Sequence, residues 1–226
     1  LGRHDRRIGR HVRVGSLMIA IRHVDDPEFV VALPSDEMDD AARWDWARGA
    51  VADTASRHGA DAVRSDLAVE FAARAQAKIS GEGAAGVLLY VPSWRVWTAV
   101  RVAVSDLEPT PQEVEAFVRP AALLPPQVRV TPELPIGRGA SSTVLVSADP
   151  ALGAVRWLFV PPGRGIRVDI TPVAAPAVTA TAALTEVFLS TVRIEGVDGA
   201  RSAAFEPERL ASPPDLEGRS WPEWAS

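Results

Sequence analysis

Apolar and polar positions alternate with two distinct periods along the chain, and the switches between them mark the elements. Residues 17–24 (LMIAIRHV) set Leu17, Ile19 and Ile21 against Met18, Ala20 and Arg22, a period of two that predicts a strand. EFVVAL at 28–33 predicts another, and Asp25-Asp26-Pro27 between them is turn chemistry. The period then lengthens. Trp44, Ala47, Val51 and Thr54 recur at three- and four-residue steps, and Val63, Leu67, Phe71, Ala75 and Ile79 recur at steps of four. The expected element is an αα-hairpin over 36–79, with Ser35 as the first N-cap and Asp36, Glu37, Asp39 and Asp40 at the positive helix end. His58-Gly59 closes the first helix, and Gly81 and Gly83 stop the second.

Period two returns at GVLLYVPS (86–93) and RVWTAVRVAVSDL (95–107). Val96, Thr98, Val100, Val102 and Val104 form the expected core face. Arg95, Trp97, Ala99, Arg101 and Ala103 form an outer face that is either partly exposed or covered by a helix. Thr110-Pro111-Gln112-Glu113 spells a capping box with proline at the first helical position, ahead of a short helix that buries Val114, Phe117 and Val118. Further strands are expected near 127–131, 142–148, 154–160 and 165–171. A final helix near 178–193 is expected to present Leu184, Val187, Phe188, Thr191 and Val192. The fold class that follows is α+β: a mostly antiparallel sheet with an αα-hairpin and a C-terminal helix packed on it.

LLYVPSW (88–94) is similar to WLFVPPG (157–163), each a strand running through an aromatic, Val and Pro into a turn, strand and helix. This suggests two hairpin-plus-helix units, 86–118 and 154–193, with chance likeness of two apolar hairpins as the alternative. The last unit resembles the closing strand–strand–helix of PsbP-like α+β proteins. LP at 33–34, LPIGRGA at 134–140 and LFVPPGRGIRVDI at 158–170 resemble short phrases of uncharacterised actinobacterial proteins. That resemblance covers element order over most of 28–195 and implies no activity and no catalytic residue.

Charge and composition narrow the picture. Residues 1–17 hold five arginines against one aspartate, net +4, which leaves −9 for the rest of a chain whose total is −5. Residues 1–16 are expected to be a disordered basic leader or upstream translated sequence. A basic targeting arm is the alternative. The acidic remainder argues against a nucleic-acid surface. No apolar run approaches a membrane span, and the expected location is the cytoplasm. The domain is expected to occupy 17–196, and 197–226 reads as a Pro-rich acidic tail.

Cysteine is absent, so disulfides, thiolate metal sites and cysteine nucleophiles are excluded. His23 with Asp25 and Asp26 offers three metal ligands at a strand end, but with no second cluster a polar turn is preferred. GRGAS at 137–141 and GRG at 163–165 match no phosphate loop, Ser141 and Ser142 lack a nucleophile elbow, and no histidine lies in the C-terminal half. Arg167 and Asp169 are expected to form a solvated pair on one strand. No catalytic, cofactor or metal residue is therefore assigned.

Seven tryptophans against one tyrosine stand out. Trp157 reads as core. Trp44 and Trp46, two apart on one helix, point in different directions, so one is expected to be exposed. Trp94 at a hairpin tip and Trp97 between Arg95 and Arg101 have the composition of a binding hot spot. Trp221 and Trp224 are odd in a polar tail and either fold back or bind in trans. The reading is a non-enzymatic interaction or adaptor protein that binds another protein through Trp94, Arg95, Trp97, Arg101, Trp221 and Trp224. A small-molecule binding module with a pocket between sheet and helix is the alternative, and a carboxylate-based enzyme comes third.

Overall fold

The computed structural model describes residues 7–14, 17–24, 28–34, 36–59, 65–82 and 84–211. Its centre is an antiparallel sheet. β3 (Val30–Ala32), β4 (Ala85–Val91), β5 (Val96–Ser105), β6 (Gln127–Val130), β7 (Ala140–Ala148), β8 (Ala151–Phe159) and β9 (Gly165–Ile170) run in the order β3-β4-β5-β9-β8-β7-β6. The two-residue strand β10 (Val173–Ala174) pairs with β8 off this path. A smaller sheet joins β1 (Arg7–Val14), β2 (Leu17–Val24) and β11 (Arg193–Ile194). The α+β class read from the pattern is what the chain adopts.

Helices cover both faces of the large sheet. α1 (Asp40–His58) and α2 (Ser65–Gly81) pack on one face over β4 and β5, where Leu88, Tyr90 and Ala99 meet Ala47, Val51, Ala72 and Ile79. α3 (Pro111–Val118) and α5 (Pro207–Ala211) lie on that same face further along. Val114, Val118 and Phe205 pack there on Ala140 and Leu158. α4 (Val178–Thr191) takes the opposite face, burying Phe188 and Leu189 against Val87, Val100, Val102, Trp157, Ile166 and Val168. The alternation in β5 is thus real, and both of its faces are covered.

Helix ends obey local chemistry, with shifts in position. The first N-cap is Asp39, whose carboxylate accepts from the Ala42 N–H at 2.8 Å. The proposed cap, Ser35, and the stripe residue Val63 lie outside the described residues. Gly59 closes α1 at φ 90°, a conformation that suits glycine, and its N–H donates to Ala55 O at 2.8 Å. In α3 the capping box is complete: Glu113 N–H donates to Thr110 Oγ1 at 3.3 Å, and Thr110 N–H donates to Glu113 Oε2 at 2.8 Å.

The expected stripes hold in part: Ala47, Val51 and Thr54 in α1, Ala75 and Ile79 in α2, and Phe188 in α4 are buried, but other large residues of the stripes are not. Trp44 is exposed and Ala50 is buried in α1. Leu67 is exposed in α2 while Ala68, Ala72, Ala73 and Ala75 are buried. Val187 is exposed in α4 while Thr181, Ala182 and Thr185 are buried. Small side chains let a helix sit close to its neighbour, and at such a contact they displace larger residues from the interface. The buried threonines are satisfied within the helix: Thr185 Oγ1 donates to Thr181 O at 2.8 Å.

Three organisational expectations are corrected. Residues 7–14, read as part of a disordered leader, form β1 and pair with 17–24 along its full length, from Arg7↔Val24 to Val14↔Leu17. Residues 197–211, read as tail, belong to the domain. Ser202 N–H donates to Val160 O at 2.8 Å, and Phe205 is 4% exposed. The two hairpin-plus-helix units share strand order around the β5–β9 pair, but α3 and α4 lie on opposite faces. Tyr90 and its counterpart Phe159 likewise point into different cores. The likeness is one of apolar hairpins.

Candidate functional site

The predicted binding residues separate into three environments. Val91-Pro92-Ser93-Trp94-Arg95-Val96 is a tight hairpin end held by Trp94 N–H to Val91 O (3.1 Å) and Arg95 N–H to Pro92 O (3.3 Å). Trp94 stands 47% exposed at this tip, and Arg95 takes φ 51°. The left-handed region costs a residue with a Cβ on the order of 1 kcal/mol, and glycine or asparagine is the usual occupant. The tip therefore holds Arg95 in a strained conformation next to an exposed indole.

Trp97 is not part of that surface. It lies directly opposite Tyr90 in the β4–β5 register, with ring centroids 5.2 Å apart, and His58 at the end of α1 approaches Tyr90 at 5.0 Å. The αα-hairpin lies over this strand face, and the partly buried Trp97 packs against the cluster that holds Leu88, Tyr90 and Ala99. Burial raises the Tyr90 hydroxyl pKa above its ordinary value, opposed by the positive charge of Arg95.

Arg101 is not available to a partner either. Its Nε and Nη2 donate to Asp169 Oδ1 at 3.0 and 2.6 Å, and Nη1 donates to Glu82. Desolvation works against its charge, but the bonds to Asp169 and Glu82 outweigh it and raise the pKa further. This also corrects the expected Arg167–Asp169 pair. Asp169 sits directly opposite Arg101 in the β5–β9 register, whereas Arg167 is two residues along the same strand. Side chains directly opposite come closer than those separated by a full strand period. Trp221, Trp224, Asp25 and Asp26 lie outside the described residues, and no metal site of three or more His, Cys, Asp or Glu occurs among those described.

A concave site of ligand size lies elsewhere among the described residues. A cavity of about 500 Å³ opens between α3, the end of β8 and the 202–210 segment. Its apolar wall is Pro109, Pro111, Val114, Val160, Phe205 and Leu210, and its charged rim is Glu115, Arg119, Glu206 and Arg209, with Glu108 at one end. The volume falls within the range of small-molecule sites. Arg119 closes one side, donating to Glu115 Oε1 at 2.9 Å and to Leu210 O at 2.6 Å.

Glu108 ties the walls together. Its Oε1 accepts from the Gly163 N–H at 2.7 Å and its Oε2 from the Ser202 hydroxyl at 2.9 Å. The Gly163 bond first, and Ser202 second, hold the carboxyl below its ordinary pKa. Glu113 and Glu208 are also shifted down, each led by a backbone hydrogen bond. In each case the hydrogen bonds favour the anionic form.

Sequence reasoning passed over this cavity because half its wall sits in the segment read as tail. A signal existed. Glu206-Pro207-Glu208 followed by Arg209 is a short helix-start pattern, and Phe205 and Leu210 are apolar residues bracketing it. Comparison with family models, with curated proteins and with solved structures yields no match, so geometry alone carries the functional reading. No helix among the described residues is long and apolar enough to cross a membrane.

Proposed function

We propose that the protein is a small-molecule binding module that uses the cavity between α3 and α5. The observation that carries this is the 500 Å³ space itself, with an apolar wall and a charged rim. On that rim Glu115 and Arg119 are paired with each other, while Arg209 and Glu206 have no ion pair among the described residues. A ligand with a short apolar body and one charged end fits this division. Octanoate and octylamine, titrated separately in a thermal-unfolding assay, test it. A ligand at one hundred times its Kd stabilises by about 2.7 kcal/mol. For a domain of this size that is roughly 5–11 °C. Ala204→Trp plugs the cavity from an exposed position and should abolish the shift. Absence of a saturable shift with either probe, or a shift that survives the plug, rejects the reading.

The interaction reading is kept as a second one, and a single observation favours it: the exposed Trp94 beside a strained Arg95. It now rests on the hairpin tip without Trp97 or Arg101. Trp94→Ala should change stability by no more than about 0.5 kcal/mol. It should weaken binding to a protein partner by at least about 2 kcal/mol. Unchanged affinity for a partner recovered with the wild-type chain removes this reading.

A further inference from the structure

Helix α3 has a second side. At about 100° per residue, Pro111, Val114 and Glu115 turn toward the cavity, and Phe117 turns away from it. There its ring meets two arginines. The guanidinium carbons of Arg156 on β8 and Arg167 on β9 each lie 5.7 Å from the ring centroid. Both side chains stand on the sheet face that carries α3, and each is only partly buried. Their common ring keeps the two cations within twice that distance of each other.

Two like charges placed together call for counter-charge, and the chain supplies little. The acids placed beside the strip are Asp169 and Glu113. Glu82 and Asp169 both bond Arg101. Glu113 reaches Arg167 only at 4.0 Å and is engaged by Thr110 in the capping box. Arg156 has no ion pair among the described residues, although Asp169 is its register neighbour across β8–β9. On its other side, across β7–β8, stands Ser142. That residue is 1% exposed, and its hydroxyl oxygen is buried without a hydrogen-bond partner among the described residues. The strip thus holds two guanidinium groups against one ring, which together have a single ion pair among the described residues, Arg167 to Glu113 at 4.0 Å, over a floor that keeps an unpaired hydroxyl.

We propose that Arg156 and Arg167 form an oxyanion site that takes the phosphate group of a small phosphomonoester. A tetrahedral phosphate can accept from two forks at once, whereas a planar carboxylate is matched by one. Phe117 fixes the guanidinium groups in advance, which lowers the ordering cost of binding. The net charge of −5 and the neighbouring acids disfavour an extended polyanion, so the ligand is small. The site is separate from the cavity and does not depend on it.

The test is calorimetric titration of the full chain with inorganic phosphate and with phenyl phosphate, at constant ionic strength set by chloride. Saturable one-to-one binding is expected, weakened at least tenfold by Arg156→Gln and by Arg167→Gln, and unaffected by the cavity plug Ala204→Trp. Retention of affinity within twofold in both arginine variants overturns the proposal, as does the absence of saturable heat with either probe. Should Arg156→Gln fail to fold, Arg167→Gln decides alone, because its side chain is 40% exposed and its loss leaves the core intact.

Discussion

Removing the Phe205 ring tests whether residues 197–211 belong to the folded domain and build the cavity wall. Phe205 is 4% exposed and packs with Val114, Val118, Ala140, Leu158 and Val160. Truncating a buried phenylalanine to alanine costs about 3–5 kcal/mol, the sum of lost transfer energy and the void left behind. Phe205 also lines an existing cavity, so one side of its ring lacks protein contacts and the void adds less. The lower end, about 3 kcal/mol, is therefore expected for Phe205→Ala. For a domain of this size that is a fall of roughly 6–12 °C in Tm. With an m-value of about 3 kcal/mol/M, the urea midpoint drops by about 1 M. Leu124→Ala is the control: Leu124 is 60% exposed in the connector before β6, and its loss should stay within about 0.5 kcal/mol. The assay is equilibrium urea unfolding followed by far-UV circular dichroism, with the same m-value required in all three proteins. A cost below about 1 kcal/mol for Phe205→Ala would refute the reasoning, because the segment would then be an appendage to a domain complete without it.

Two further outcomes are expected. Thr110→Ala removes the side-chain acceptor of the capping box and should cost about 1 kcal/mol in the same urea assay; a neutral result would place the start of α3 elsewhere. Glu108 has a folded pKa below its unfolded value, so its contribution is complete above the ordinary glutamate range and is lost as pH falls through the folded pKa. The stability gap between wild type and Glu108→Gln should accordingly be constant near neutral pH and close in acid below that range, and a gap that widens on acidification contradicts the hydrogen-bond assignment.

Much of the local structure was legible in the sequence because local rules decide it. Thr110-Pro111-Gln112-Glu113 forms the capping box from its own four residues, and Gly59 ends α1 because its φ is free. The alternation of β5 and the burial of Trp157 follow from period and apolarity alone. What the tertiary structure decided is which of two plausible faces each element buries. A stripe of large residues marks a helix, but a close helix–helix or helix–sheet contact selects the small ones, so Ala68 and Ala72 are inside and Leu67 is outside. Trp97 and Trp94 are three residues apart and chemically alike. Only the placement of α1 and α2 over one strand face partly buries the first, while the second stands 47% exposed at the hairpin tip. Arg101 met Asp169 through strand register, a non-local relation with no trace in either residue's neighbourhood along the chain. The cavity and the Arg156–Phe117–Arg167 strip are of the same kind. Each joins residues from elements far apart in sequence, and periodicity carries no information about which distant faces the fold will bring together.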